Sequence, residues 1–195
     1  QTATDFRFNV FDMVSALVYA RLVHPCSKSK TYDEVIPKLF DSYDFSLNQL
    51  YDGLEYIGCE YEKIIEIYNH QIQQMYKFDT SHTYFDCTNF YFEIDKEDTF
   101  RRKGPSKENR KEPIIGLGLL LDAHQIPVGM KLFPGSQSEK PVIRSIIQDL
   151  KNRNSVSGRT IQVADKGLNC AENIFHALKN GDGYIFSKSV KQLPE

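Results

Sequence analysis

The chain has 195 residues, of which 41% are hydrophobic and 26% charged, with a formal net charge of -2. That length fits one domain, or a small domain plus a larger one. The near-neutral charge argues against a protein that coats nucleic acid indiscriminately, but not against a local basic groove. No apolar run approaches the roughly 20 residues of a membrane span, and no signal-peptide pattern opens the chain. A start at Gln1 rather than Met suggests a fragment. Cys26, Cys59, Cys87 and Cys170 form no Cys-x-x-Cys pair, so they read as free, partly buried thiols in a reducing compartment.

Residues 1–78 read as helical. Thr4 or Asn9 caps a first helix with Phe11, Val14, Leu17, Val18 and Leu22 as its apolar side, ended by Pro25. Ser29 or Thr31 starts a short helix closing near Pro37. Ser46 caps a third, with Leu47, Leu50, Leu54 and Ile57 on one face and Gly58 as a breaker. A fourth runs from Cys59 to Lys77, with Ile64, Ile65, Ile67, Tyr68, Ile72 and Met75 as its apolar face. This region has two readings, a packing or dimerisation module and a DNA-contacting helical domain, the latter drawing on Arg21, Lys28 and Lys30.

From residue 79 the period changes. His82–Thr88 is a strand of aromatic and β-branched residues that continues or bends through Ile94. Residues 96–112 form a charged loop in which Arg101, Arg102, Lys103, Lys107, Arg110 and Lys111 outweigh Glu108 and Glu112. It reads either as a solvated turn or as a mobile arm that grips phosphates. Residues 113–121 form an apolar strand, buried on both faces if central. Asp122–Gln125 turns the chain, and residues 126–133 return as the second arm of a hairpin. A helix over 139–152 turns Val142, Ile143, Ile146, Ile147 and Leu150 inward. A strand over 159–164 ends at Asp165, a helix follows over 170–179, and residues 183–187 form a last strand. Three meandering strands followed by helix, strand, helix, strand is the order of an α/β, ribonuclease H-like mixed sheet. The expected division is therefore a helical region over 1–78 and a catalytic domain over 79–195.

Two aspartates stand out by position. Asp86 lies inside the first strand, where Asp is depleted and a buried carboxylate is costly unless paired or metal-bound. Asp165 lies at the carboxyl end of the fourth strand, where ligand sites of open sheets gather. In this sheet type the first and fourth strands are adjacent and parallel, so the two carboxylates are placed to share Mg²⁺, or Mn²⁺ as a substitute. A two-ion site clamps the attacking and leaving oxygens of a phosphodiester displacement. The plain alternative for Asp165 is a cap on the helix after it. Asp122 and His124 read as turn residues, Glu139 as an acid stabilised at a helix N-terminus, and Tyr84, Phe90 and Phe92 as core packing.

Tyr84–Phe92, Ile114–Asp122, Ile126-Pro127-Val128, Leu132–Ser136, Ser138-Glu139 and Val163–Gly167 resemble the catalytic region of DDE-class insertion-sequence transposases. The nearest group is the IS four-like one, in its larger-element branch. The resemblance spans about residues 10–190. It implies Mg²⁺-dependent DNA cleavage and strand transfer at element ends, with Asp86 and Asp165 as the first two acids of a triad and as metal ligands. It implies double-stranded DNA as partner, for which the basic loop and Lys166 offer contacts by their charge, with a homodimer as a candidate assembly, no membrane, and a cytoplasmic, nucleoid-associated setting. Ser136 stands where the family often has Asn. The family's third acid, a Glu on a helix after the last strand, has no counterpart here: Glu172 is too close to Asp165, and Glu195 follows a proline. The chain is therefore expected to be a fragment with little activity of its own. Two alternatives remain: another ribonuclease H-like nuclease such as a junction resolvase, and a non-catalytic truncated transposase that binds DNA or dimerises.

Overall fold

A computed structural model describes residues 8–105, 111–153, 156 and 158–188. Contacts divide the chain into a unit ending at Tyr68 and one beginning at Asn69. Thr4, Lys107, Arg110 and Glu195 lie outside the described residues.

The first unit is built from helix α1 (Val10–Val23), the short α2 (Lys28–Lys30), helix α3 (Leu47–Cys59) and the start of α4 (Tyr61–Met75). Asn9 caps α1, its side-chain oxygen accepting from the Phe11 N–H. The chain after α2 continues through one wide π turn, Thr31–Val35, and one tight 3₁₀ turn, Ile36–Lys38. Pro37 is tolerated there because the first turn of a helix needs no donor from it. Ser46 and Gln49 form a reciprocal capping box at the start of α3, each side chain satisfying the other's backbone N–H.

The core of this unit corrects the face expected for α1. Met13, Ala16 and Ala20 are buried, while Phe11, Val18 and Leu22 are 74%, 52% and 78% exposed. The reason is close approach: a Cβ at Gly53 of α3 would stand 2.2 Å from the Met13 sulfur. Small residues on α1 and a glycine on α3 let the helices meet along the narrow side, and the larger residues are left outside. The apolar face expected for α4 is likewise corrected, since Ile64, Ile67, Tyr68 and Met75 are exposed, while Ile72 packs on the core of the second unit.

The second unit is a five-stranded sheet in the order β3-β2-β1-β4-β5. Its strands are β1 (His82–Tyr91), β2 (Ile114–Leu121), β3 (Pro127–Pro134), β4 (Ile161–Ala164) and β5 (Gly183–Phe186). β1, β2 and β3 form the antiparallel meander; β4 runs parallel to β1, and β5 parallel to β4. Helices α5 (Lys140–Asn152) and α6 (Ala171–Lys179) make the crossovers. Phe85, Cys87, Leu120, Val128 and Phe133 of the sheet pack with Val142, Ile143, Ile146, Ile147 and Leu150 of α5. Strand β2 is buried on one face only, alternating buried and half-buried along its length, rather than on both.

Two buried aspartates tie this unit together. Asp122 is fully buried and accepts from the backbone N–H groups of Asp79, His124 and Ile126, fixing the hairpin turn to the entry of β1. Asp182 accepts from Lys151 of α5, the Thr160 N–H and the Gln162 side chain, joining α5, β4 and the lead into β5.

Candidate active site

The ladder between β1 and β4 pairs Tyr84 with Val163 and Phe85 with Ala164. One further step along both strands brings Asp86 level with Asp165, whose backbone is still extended at φ -74°, ψ 178°. Side chains alternate faces along a strand and agree in face across an in-register pair. The two carboxylates therefore rise from the same face of the sheet, on strands about 4.8 Å apart. This is the face opposite α5, because Phe85 and Cys87, the neighbours of Asp86, fill the core.

Asp86 is exposed, not buried. The expectation of a costly buried carboxylate is corrected by the alternation of β1, which sends every second residue away from α5. One Asp86 oxygen accepts from the Cys87 N–H at 2.8 Å. Asp165 is also exposed; its Oδ1 accepts from the Gly167 N–H at 3.0 Å, capping the 3₁₀ turn Lys166–Leu168. The capping role foreseen as the plain alternative is present, on a short turn rather than on the helix. It engages one of the two oxygens and sets the direction of the carboxylate.

The face around the acids is apolar and open to different degrees. Tyr84, Leu117, Leu119, Leu121 and Val163 are half-buried, and Ile185 is exposed. Phe90, expected in the core, is 50% exposed on this face, two strand steps beyond Thr88. Phe92 is half-buried and carries the Arg101 guanidinium 5.7 Å above its ring.

Arg101, Arg102 and Lys103 are tied down by hydrogen bonds and ion pairs. Asp98 accepts from the backbone N–H groups of Phe100 and Arg101 and from the Arg101 side chain. The Arg101 backbone N–H is the main cause, with the Phe100 N–H and the Arg101 side chain adding to it, of the Asp98 carboxyl being held from 3.8 down to about 2. Arg102 exchanges two backbone hydrogen bonds with Ile114. Its guanidinium lies 4.0 Å from Glu97, which also accepts from the Lys103 N–H. Gly104 and Gly135 meet so closely that a Cβ on Gly104 would stand 1.8 Å from the Gly135 carbonyl oxygen. Lys111 is exposed, its N–H donating to the Glu112 carboxylate. Arg102 is level with Ile114, which pairs with Tyr91. Five strand residues at about 3.3 Å each separate that level from Asp86, or roughly 17 Å. Of the named basic residues, Lys166 stands next to the acids in sequence and is exposed.

Two carboxylates on one open face fit Mg²⁺, which takes hard oxygen donors, keeps several waters and uses one or two carboxylates beside substrate phosphates. Among the described residues no three His, Cys, Asp or Glu side chains are grouped to hold a metal ion. Sequence reasoning missed the hydrogen bond from the Asn169 side chain to the Ser187 carbonyl at the end of β5. It also missed Asp98 as the anchor of the loop, although an Asp two residues before an aromatic in a charged loop is an Asx-turn signal.

No protein-family model matches the sequence, and no curated protein matches it. Among solved structures, the chain is similar to a piggyBac transposase in a synaptic complex with hairpin DNA. The TM-score is 0.54 at 13% identity, over 95% of this chain and 42% of that one. The fold is ribonuclease H-like, as in transposase catalytic domains. The chain thus spans under half of that relative's length. Similarity to the Mos1 transposase paired-end complex with left transposon end, at TM-score 0.39 and 11% identity over 94% of this chain and 61% of that one, is too low to carry an argument. Among the described residues no helix is long and apolar enough to cross a membrane.

Proposed function

We propose that this chain carries the catalytic core of a DDE-class transposase, with Asp86 and Asp165 as two of its metal-binding acids. The observation that carries the reading is the ladder from Tyr84↔Val163 to Phe85↔Ala164, which brings the two acids level on the open face of a ribonuclease H-like sheet. The piggyBac complex contains hairpin DNA, which supports double-stranded DNA as the partner. The IS four-like assignment, strand transfer at element ends and a homodimer rest on sequence resemblance.

In this reading Mg²⁺ or Mn²⁺ supplies Lewis acidity and lowers the pKa of bound water. The protein's part is positional. The Cys87 and Gly167 N–H groups fix one oxygen of each carboxylate, leaving the pair pre-oriented toward the same space. Lys166 adds a positive charge beside Asp165 for a phosphate of the bound strand. Arg101, Arg102, Lys103 and Lys111 would meet backbone phosphates of the duplex farther along; Lys107 and Arg110 lie outside the described residues. A third acid is not assigned to any of these residues.

Calorimetry with Mn²⁺ tests the reading. The wild-type chain is expected to bind, and the Asp86→Ala, Asp165→Ala double variant to lose binding; equal binding in both would remove the metal site. A second reading, a non-catalytic dimerising protein, draws on the exposed Phe11, Val18 and Leu22 of α1. It predicts a self-association that Val18→Lys abolishes and that Mn²⁺ does not affect.

A further inference from the structure

Beyond β4, the row that contains Asp86 and Asp165 reaches a third strand. β5 pairs Phe186 with Ala164, and the Ser187 N–H continues the ladder by donating to the Ala164 carbonyl at 3.3 Å. The next level of the sheet therefore holds Asp86, Asp165 and Ser187 side by side, all on the face opposite α5. Ser187 is exposed. Its position does not depend on the ladder alone. The Asn169 side-chain amide donates to the Ser187 carbonyl at 3.0 Å, and the Asn169 N–H donates to the Lys166 carbonyl at 3.3 Å. One asparagine thus clamps the end of β5 to the turn that Asp165 caps. Lys166, exposed, opens that same turn.

We propose that Ser187 and Lys166 form a phosphodiester-binding subsite on the side of Asp165 away from Asp86, with Asn169 as its positioning residue. The hydroxyl of Ser187 donates to a non-bridging phosphate oxygen, and the Lys166 ammonium supplies the opposite charge. Both donor types are those that hold DNA backbones without reading sequence. Asp86 and Asp165 would lie on one side of the phosphate and these donors on the other, so the strand would be fixed across the row. This inference rests on reading Asp86 and Asp165 as the metal site.

The test uses the full 195-residue chain and a fluorescent DNA duplex of arbitrary sequence, with anisotropy in Mg²⁺ over a salt series and Mn²⁺ calorimetry on the same proteins. Ser187→Ala with Lys166→Gln is expected to weaken DNA binding about tenfold, to lower the salt slope by about 1, and to leave Mn²⁺ binding intact or tighter, since a positive charge beside Asp165 is removed. Asn169→Ala is expected to weaken DNA binding about threefold with the salt slope unchanged, because no charge is removed. Lys179→Gln, on α6, is the control for loss of a charge and is expected to alter neither. Unchanged DNA affinity in the Ser187, Lys166 variant, or an equal loss in the control, overturns the subsite even where Asp86→Asn and Asp165→Asn abolish Mn²⁺ binding. Mn²⁺ binding that survives both aspartate substitutions overturns the metal reading instead, and the subsite with it.

Discussion

At the scale of single residues, position in the sheet decides what each acid does. Asp122 and Asp182 are buried and saturated with donors; Asp86 and Asp165 are exposed and face the same way. Asp122→Ala would leave the part-buried N–H groups of Asp79, His124 and Ile126 without this acceptor. The expected cost is about 3 kcal/mol, read as a lowered midpoint in urea unfolding. Asp98 behaves differently. Its folded pKa of about 2 lies below the usual 3.8, so its contribution to holding the loop is present above pH 3.8 and lost as pH falls through about 2. The backbone amide signals of Phe100 and Arg101 in NMR are expected to shift across that window. In Asp98→Asn they should stay constant across it; a wild-type loop unmoved between pH 4 and 2 would contradict the role of Asp98.

At the scale of elements, the helices and strands of the second unit follow from the sequence because their periods are clean. The inward residues expected for α5 are the ones buried, Val142, Ile143, Ile146, Ile147 and Leu150. That β1, which holds Asp86, and β4, which Asp165 follows, are parallel neighbours was legible from strand order alone. What the pattern could not give is the buried side of α1, where apolar residues surround the helix. There the choice was made by Gly53 and the small Ala16 and Ala20, a matter of approach between helices and not of period. Nor could composition show that residues 97–104 are strapped down, because that depends on Gly104 meeting Gly135 across the fold. Gly135→Ala would put a Cβ 2.2 Å from the Arg102 carbonyl oxygen. It is expected to detach the strap, exposing Arg101, Arg102 and Lys103 to trypsin several times faster than in the wild type. An unchanged cleavage rate would show that the contact is dispensable. Ser46→Ala removes one half of the capping box of α3 and is expected to cost about 1 kcal/mol, measurable by thermal unfolding of the first unit.

At the scale of the whole molecule, the sheet has one face closed by α5 and another on which two acids stand among half-buried or exposed apolar side chains. The chemistry proposed for that face needs substrate access, and Asp86 and Asp165 are both exposed on it. With Asp86 and Asp165 as the proposed metal-binding acids, the chain is expected to bind Mn²⁺ and DNA. The most direct measurement is a crystal structure of the chain grown with Mn²⁺, with anomalous density collected to locate the ion. A peak bonded to a carboxylate oxygen of Asp86 and of Asp165, each at about 2.2 Å as expected for a hard divalent ion, is the predicted result. Carboxylates on opposite faces of the sheet, or Mn²⁺ bound elsewhere with this pair bare, would contradict it.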